Sequence, residues 1–134
     1  RATLIGIHDA ARPLVTDVII TDTISAAQKS RAAAPGIPVR DTVKVTSDGI
    51  ITGTPARSTL SAIQTPQVFQ AELLKAALQS AVNAEVTLTD DCSAVERLGK
   101  EVYLTAGDPE NIKITRPLDL RLAEAILAER RKQA

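Results

Sequence analysis

The sequence predicts an α/β domain with a mainly parallel sheet and an inserted β-hairpin. Thr3 to Ile7 is a short, almost wholly apolar run, which suits a strand buried on both faces. Later segments alternate strand-forming runs with apolar residues at helical spacing, the rhythm of βα units. An Asp48-Gly49 pair between runs of strand formers interrupts that rhythm with a hairpin signal.

The first strand delivers His8 and Asp9 to its carboxyl end, and Pro13 bars an immediate helix. Thr16 reads as an N-cap with Asp17 in the first turn. That helix is predicted to reach about Arg31, with Val18, Ile19, Ala26 and Ala27 on its buried stripe. Pro35-Gly36 reads as the end of a connection. Between Pro38 and Pro55, Val39, Thr42, Val43 and Val45 form one arm of the hairpin. Ile50, Ile51 and Thr52 form the other. An isolated two-stranded hairpin is marginal in water, so it is expected to pack on something, most simply a second copy of the chain.

Leu60 to Val68 reads as a strand broken at Pro66. Gln70 to Val82 is a helix whose buried face is Leu73, Leu74, Ala77, Leu78 and Ala81. A further helix spans Thr89 to Leu98, with Gly99 as its C′ residue. Val102 to Thr105 is a strand, Gly107-Asp108-Pro109 a turn, and Asn111 to Ile114 a short strand. Pro117 opens the last helix, with Asp119 in its first turn and Arg130, Arg131 and Lys132 at its negative pole. Leu118, Leu122, Ala125 and Ile126 are its expected buried side.

Composition narrows the function. The 134 residues suffice for one domain with a core. Formal net charge is zero, and the chain has one Tyr, one Phe and no Trp. Neither a broad basic surface nor stacking platforms for nucleic acid are therefore expected. No apolar run has the length of a membrane span. Cys92 is the single cysteine and has no disulfide or zinc partner within the chain, which fits a reducing compartment. The chain opens at Arg1 inside an apolar run without an initiator Met, so it is expected to be the C-terminal part of a longer domain.

Four strings sit where a strand meets a loop or helix: residues 8–13, 64–67, 89–93 and 111–115. Ligands of open α/β sheets bind beyond the carboxyl ends of strands, so one shared site for a phosphorylated ligand is expected. Asp9 either holds a divalent cation or forms a local ion pair with Arg12. His8, the single histidine, reads as a hydrogen-bonded structural group or a general base. Arg57 suits a phosphate, or is a solvated surface residue. Thr65-Pro66-Gln67 offers a hydroxyl and an amide in a restrained turn. Thr89, Asp90 and Ser93 cap a helix, with Thr89 also a candidate ligand contact. Lys113 alternates away from Ile112 and Ile114, towards a cleft or towards solvent.

In order, the strings resemble the 2-C-methyl-D-erythritol 4-phosphate cytidylyltransferases of the non-mevalonate isoprenoid pathway. The resemblance rests on His8-Asp9-Ala10-Ala11-Arg12-Pro13, residues 38–44, Arg57 with Leu60, and Gln64-Thr65-Pro66-Gln67 with Phe69. It continues through Thr89-Asp90-Asp91 with Ser93 and Glu96, and Asn111-Ile112-Lys113-Ile114-Thr115 with Pro117. Cys92 departs from the usual Ala, and Glu110 from the usual Asp.

The resemblance implies a Rossmann-like nucleotidyltransferase fold whose N-terminal Gly-rich loop lies upstream of Arg1. It implies transfer of CMP from CTP to methylerythritol phosphate with release of pyrophosphate, and a cytoplasmic or plastid setting. By resemblance Asp9, Lys113 and Arg57 are catalytic. Ala10, Arg12, Thr42, Thr65 and Thr89 bind substrate, and Asp9 holds Mg²⁺. Residues 38–57 match a dimerisation arm that carries Arg57 to the substrate of a sister subunit in a homodimer. Two alternatives stand beside this reading: a ribitol 5-phosphate cytidylyltransferase, and a binding or dimerisation fragment without activity of its own.

Overall fold

A computed structural model describes residues 2–134. Strand β1 (Leu4–Ile7) leads to helix α1 (Asp17–Ser30), then β2 (Ala32–Pro38) and the hairpin β3 (Val45–Ser47) and β4 (Ile50–Gly53). A 3₁₀ turn (Arg57–Thr59) precedes β5 (Ser61–Ile63) and β6 (Gln67–Gln70). Helices α2 (Ala71–Asn83) and α3 (Asp91–Arg97), strand β7 (Tyr103–Ala106) and helix α4 (Pro117–Gln133) follow.

The sheet orders β1, β6 and β2, with β7 also on β2. The same-way majority expected from the sequence holds in strand direction: β1, β2 and β7 run together. It does not hold in neighbour pairing. β6 lies reversed between β1 and β2, and β5 is antiparallel to β2, so β2–β7 is the one parallel pair in the sheet. β5 and β6 are the two halves of the broken strand that the sequence marks at Pro66. They follow each other along β2, Ile63 opposite Gly36 and Val68 opposite Ala33, with a cis Thr65–Pro66 bond between them.

β2 is the main departure from expectation. Ala32-Ala33-Ala34-Pro35-Gly36-Ile37-Pro38 has none of the β-branched or aromatic content that marks a strand, apart from Ile37. Its small side chains instead let helices close on both faces of the strand with the most buried residues in the sheet. Ala32, Ala34 and Phe69 pack with Leu73, Leu74, Ala77, Cys92 and Val95 of α2 and α3. Ala33 and Val68, on the other face, pack with Ala27 of α1. The close approach of β5 and β7 favours glycine at position 36, where a Cβ would meet Leu104 Cδ1 at 2.8 Å and Ala62 O at 3.2 Å.

Helix starts follow the sequence. Thr16 Oγ1 accepts from the Ile19 amide, and Asp90 Oδ1 accepts from the Ser93 amide at 2.9 Å. The predicted face of α2 is the buried one: Leu73, Leu74, Ala77 and Ala81. On α1, however, Ile19, Thr23 and Ala27 are buried while Val18 is 67% exposed. Thr23 is accommodated because its hydroxyl donates to Ile19 O at 2.7 Å. On α4 only Asp119 and Ala123 are buried, so the leucine face expected there is open. Polar ties hold that helix: Asp119 to Thr115 and Arg116, and Arg130 to Leu14 O and Glu110.

The hairpin is shorter than expected, since residues 39–44 are not strand. Asp48 and Gly49 both have positive φ, 49° and 79°, as a primed two-residue turn requires. Val43, Val45, Ile50 and Ile51 are exposed. Among the described residues no helix is long and apolar enough to cross a membrane.

Candidate active site

The break between β5 and β6 organises the site. Its two glutamines are buried, and each ties the turn to a different loop. Gln64 Nε2 donates to Asp108 O at 2.8 Å, and its Oε1 accepts from Asp108 N and Asn111 Nδ2. Gly107 leaves room for this: a Cβ there would stand 2.6 Å from Gln64 Oε1. Gln67 Oε1 accepts from the Cys92 amide, and its Nε2 donates to Asp90 Oδ2, each at 3.1 Å. Between them, Thr65 Oγ1 accepts from the Asp9 amide at 3.1 Å and meets His8 Nδ1 at 2.8 Å. One four-residue turn thus anchors the loops that carry Asp9, Asp90 and Lys113.

The segment after Asn111 is not the strand expected. It is an extended chain pinned to the Asp9 loop, because its hydrogen-bond partners are a loop carbonyl and a side chain. Ile114 N donates to Ala11 O at 2.8 Å, and Arg12 Nη1 donates to Asn111 O at 2.7 Å. Ile112 and Ile114 are half-buried and Lys113 projects outward, the alternation the sequence implies.

These anchors bring the charged groups together. Asp9 Oδ2 lies 3.6 Å from Lys113 Nζ and 3.5 Å from Arg12 Nε. Arg12 is largely buried, with its side chain 13% exposed, whereas Lys113 is half exposed. All three line one cleft with a cavity volume of ≈ 390 Å³, together with Thr65, Gln67, Thr89, Asp90 and Asp91. Asp90 is occupied as a cap, bonded to Ser93 and Gln67. Asp91 beside it is raised above the ordinary carboxylate value, first by burial, then by the charges of Asp90 and Asp9.

Other sequence-picked residues stand apart. Arg57 does not line this cleft; its Nη1 donates to Arg40 O at 2.7 Å, at the base of the hairpin. Thr42 is exposed in the same arm, and Ala10 is exposed in the turn closed by Arg12 N to Asp9 O. Gln64, Gln67 and Asn111 matter more than their residue types suggest. Asn111 is fully buried, its Nδ2 bonded to Gln64 Oε1 and Thr65 O. The signal of Gln64 and Gln67 in the sequence was position only: two amides flanking a Thr-Pro pair.

Among the described residues there is no cluster of three His, Cys, Asp or Glu side chains able to hold a metal. A protein-caged ion is not what this donor set fits. Of the cleft carboxylates, Asp9 is the one that would contact a Mg²⁺ held mostly by phosphate oxygens of a ligand.

Arg12 and Lys113 gathered about Asp9, beyond strand ends of an α/β sheet, make a cleft of the class suited to phosphate groups. Comparison with known proteins narrows the class. The family model described as 2-C-methyl-D-erythritol 4-phosphate cytidylyltransferase (IspD) matches residues 1–129, and the chain belongs to that family. The cytidylyltransferase of Symbiobacterium thermophilum is 44% identical over 134 residues, 99% of this chain and 57% of the relative. That of Caldanaerobacter subterraneus is 51% identical over 125 residues, 92% of this chain and 55% of the relative. The crystal structure of the Thermus thermophilus enzyme aligns with a TM-score of 0.85 at 36% identity. It covers 94% of this chain and 62% of that one. The Anaerococcus prevotii structure, a 4-diphosphocytidyl-2C-methyl-D-erythritol synthase, aligns with 0.87 at 32%, covering 95% and 59%. The chain thus spans a little over half the length of the curated relatives it matches.

Proposed function

We propose that this chain carries the Asp9–Arg12–Lys113 cluster of a site that transfers CMP from CTP to 2-C-methyl-D-erythritol 4-phosphate. The observation that supports this most is the sharing of Asp9 Oδ2 by Lys113 and Arg12 at one cleft. A phosphate oxygen of the acceptor attacks the α-phosphorus of CTP. The new P–O bond forms as the bond to the β-phosphate oxygen breaks, and pyrophosphate leaves with that electron pair. No covalent enzyme intermediate is needed, so positioning and charge stabilisation do the work.

Lys113 and Arg12 neutralise negative charge on the reacting phosphates, and Asp9 aims both cations. Asp9 is also the residue that would contact Mg²⁺, which when bound offsets charge on the nucleotide phosphates. Thr89 and Thr65 line the same cleft, and in this reading they contact the acceptor.

The exposed apolar hairpin supports a homodimer, in which residues 38–57 lie on a second copy and Arg57 reaches that copy's acceptor phosphate. A cytoplasmic or plastid setting is part of the same reading. The test is product formation by the intact protein from CTP with methylerythritol phosphate or ribitol 5-phosphate, read by mass spectrometry. Strong preference for methylerythritol phosphate is expected. Preference for ribitol phosphate, or no product from either, overturns the proposal.

A further inference from the structure

We propose that His8 is a positioning residue that acts through the Thr65 hydroxyl to fix the Asp9 backbone. The Arg12 carbonyl oxygen can only accept, and His8 Nε2 lies 2.9 Å from it, so Nε2 carries the ring hydrogen. In the neutral ring Nδ1 is then an acceptor. Thr65 Oγ1, 2.8 Å away, must donate to it. The lone pairs of Oγ1 are left for the Asp9 amide, which donates at 3.1 Å.

With the ring neutral, every hydrogen in this chain has one direction. It runs from Asp9 N–H to Thr65 Oγ1–H to His8 Nδ1, and from His8 Nε2–H to Arg12 O. The imidazole spans the loop between the two residues that meet Lys113 and Asn111. Arg12 N donates to Asp9 O at 3.0 Å and closes the same loop from within. Movement of the ring would shift Asp9 and Arg12 together.

His8 itself is absent from the charged cleft. Its ring belongs to the neighbouring apolar cavity lined by Leu4, Val15, Ile20, Ile24, Pro66 and Val68. It meets the Thr65 hydroxyl and the Arg12 carbonyl but does not line the charged cleft, which separates positioning from general-base catalysis. This inference rests on the function proposed above for its kinetic consequences, but its hydrogen-bond direction stands apart from that function.

The experiment has two readouts on the intact protein. Nitrogen-15 NMR of the His8 ring, assigned by loss of its signals in His8→Asn, is expected to show the Nε2–H tautomer. Its Nδ1 signal is expected to move in Thr65→Val. The Nδ1–H tautomer, or no response to Thr65→Val, overturns the proposal even if the protein transfers no CMP. Kinetically, His8→Asn keeps an acceptor where Nδ1 stood and is expected to retain most of kcat. His8→Phe removes it and is expected to lower kcat by about 10- to 100-fold, with KM for CTP little changed. His8→Phe combined with Thr65→Val is expected to do little more harm than Thr65→Val alone, the signature of one shared pathway. Full activity in His8→Phe, equal losses in His8→Asn and His8→Phe, or additive losses in the double variant would refute it.

Discussion

Asn111 is the most severe test of the idea that a buried polar network holds the cleft. Its side chain is fully buried, and its Nδ2 donates to Gln64 Oε1 at 3.2 Å and Thr65 O at 3.1 Å. Asn111→Ala removes both bonds, each worth about 1 kcal/mol net. It also takes from the Thr65 carbonyl the partner it has here, at a cost of about 1–3 kcal/mol if water does not replace it. Against this, Asn111 Oδ1 is buried without a hydrogen-bond partner, and its removal recovers a cost of the same order. The balance is a destabilisation of about 1–3 kcal/mol. Asn111→Asp keeps the shape but turns the donor into an oxygen facing two acceptors, so it is expected to be worse than Asn111→Ala. Urea unfolding of the intact protein measures both. If both variants unfold within about 0.5 kcal/mol of the parent, the network is not what holds the loops.

Arg57→Ala is expected to raise KM for the sugar phosphate more than KM for CTP; steady-state kinetics showing equal effects would remove Arg57 from the acceptor side. Hydrogen bonds from Thr115 hold the Asp119 carboxyl below its usual range. Its contribution to stability is therefore present above the unfolded value and lost as pH falls through the folded one. The stability gap between the parent and Asp119→Asn should close in acid, and a gap independent of pH would contradict this. Burial pushes the Cys92 thiol up to about 12. Its alkylation at pH 8 should thus be slow in the native protein and rapid in denaturant, and stability should fall as pH rises above the unfolded thiol's value. Fast native alkylation would refute the burial of Cys92.

Much of the fold was legible where local chemistry decides it. The α2 face was readable because Leu73, Leu74, Ala77 and Ala81 recur at helical spacing, and the α3 start because Asp90 is a good cap. β2 was not, because Ala-Ala-Ala-Pro-Gly carries breaker signals and becomes a strand only through neighbours distant in sequence. The open leucine face of α4 shows the converse: periodicity states which residues could be buried, while burial depends on what packs there. Within the site, Asp9, Arg12, Thr65, Thr89 and Lys113 were legible by type and place, and they line one cleft. The roles of Gln64, Gln67 and Asn111 were not, since a buried amide is defined by partners more than twenty residues away.

The proposed function depends on one convergence: strand-end loops bring Asp9, Arg12 and Lys113 to one cleft. Lys113→Ala in the intact protein tests it most directly, with kcat for CMP transfer and the unfolding midpoint measured together. The ammonium is half exposed and its ion pair with Asp9 is 3.6 Å long, so its loss should cost less than about 1 kcal/mol of stability. Turnover should fall by about 10²- to 10³-fold, as for other lost charge-stabilising groups. Turnover close to that of the parent, in a protein that folds normally, would contradict it.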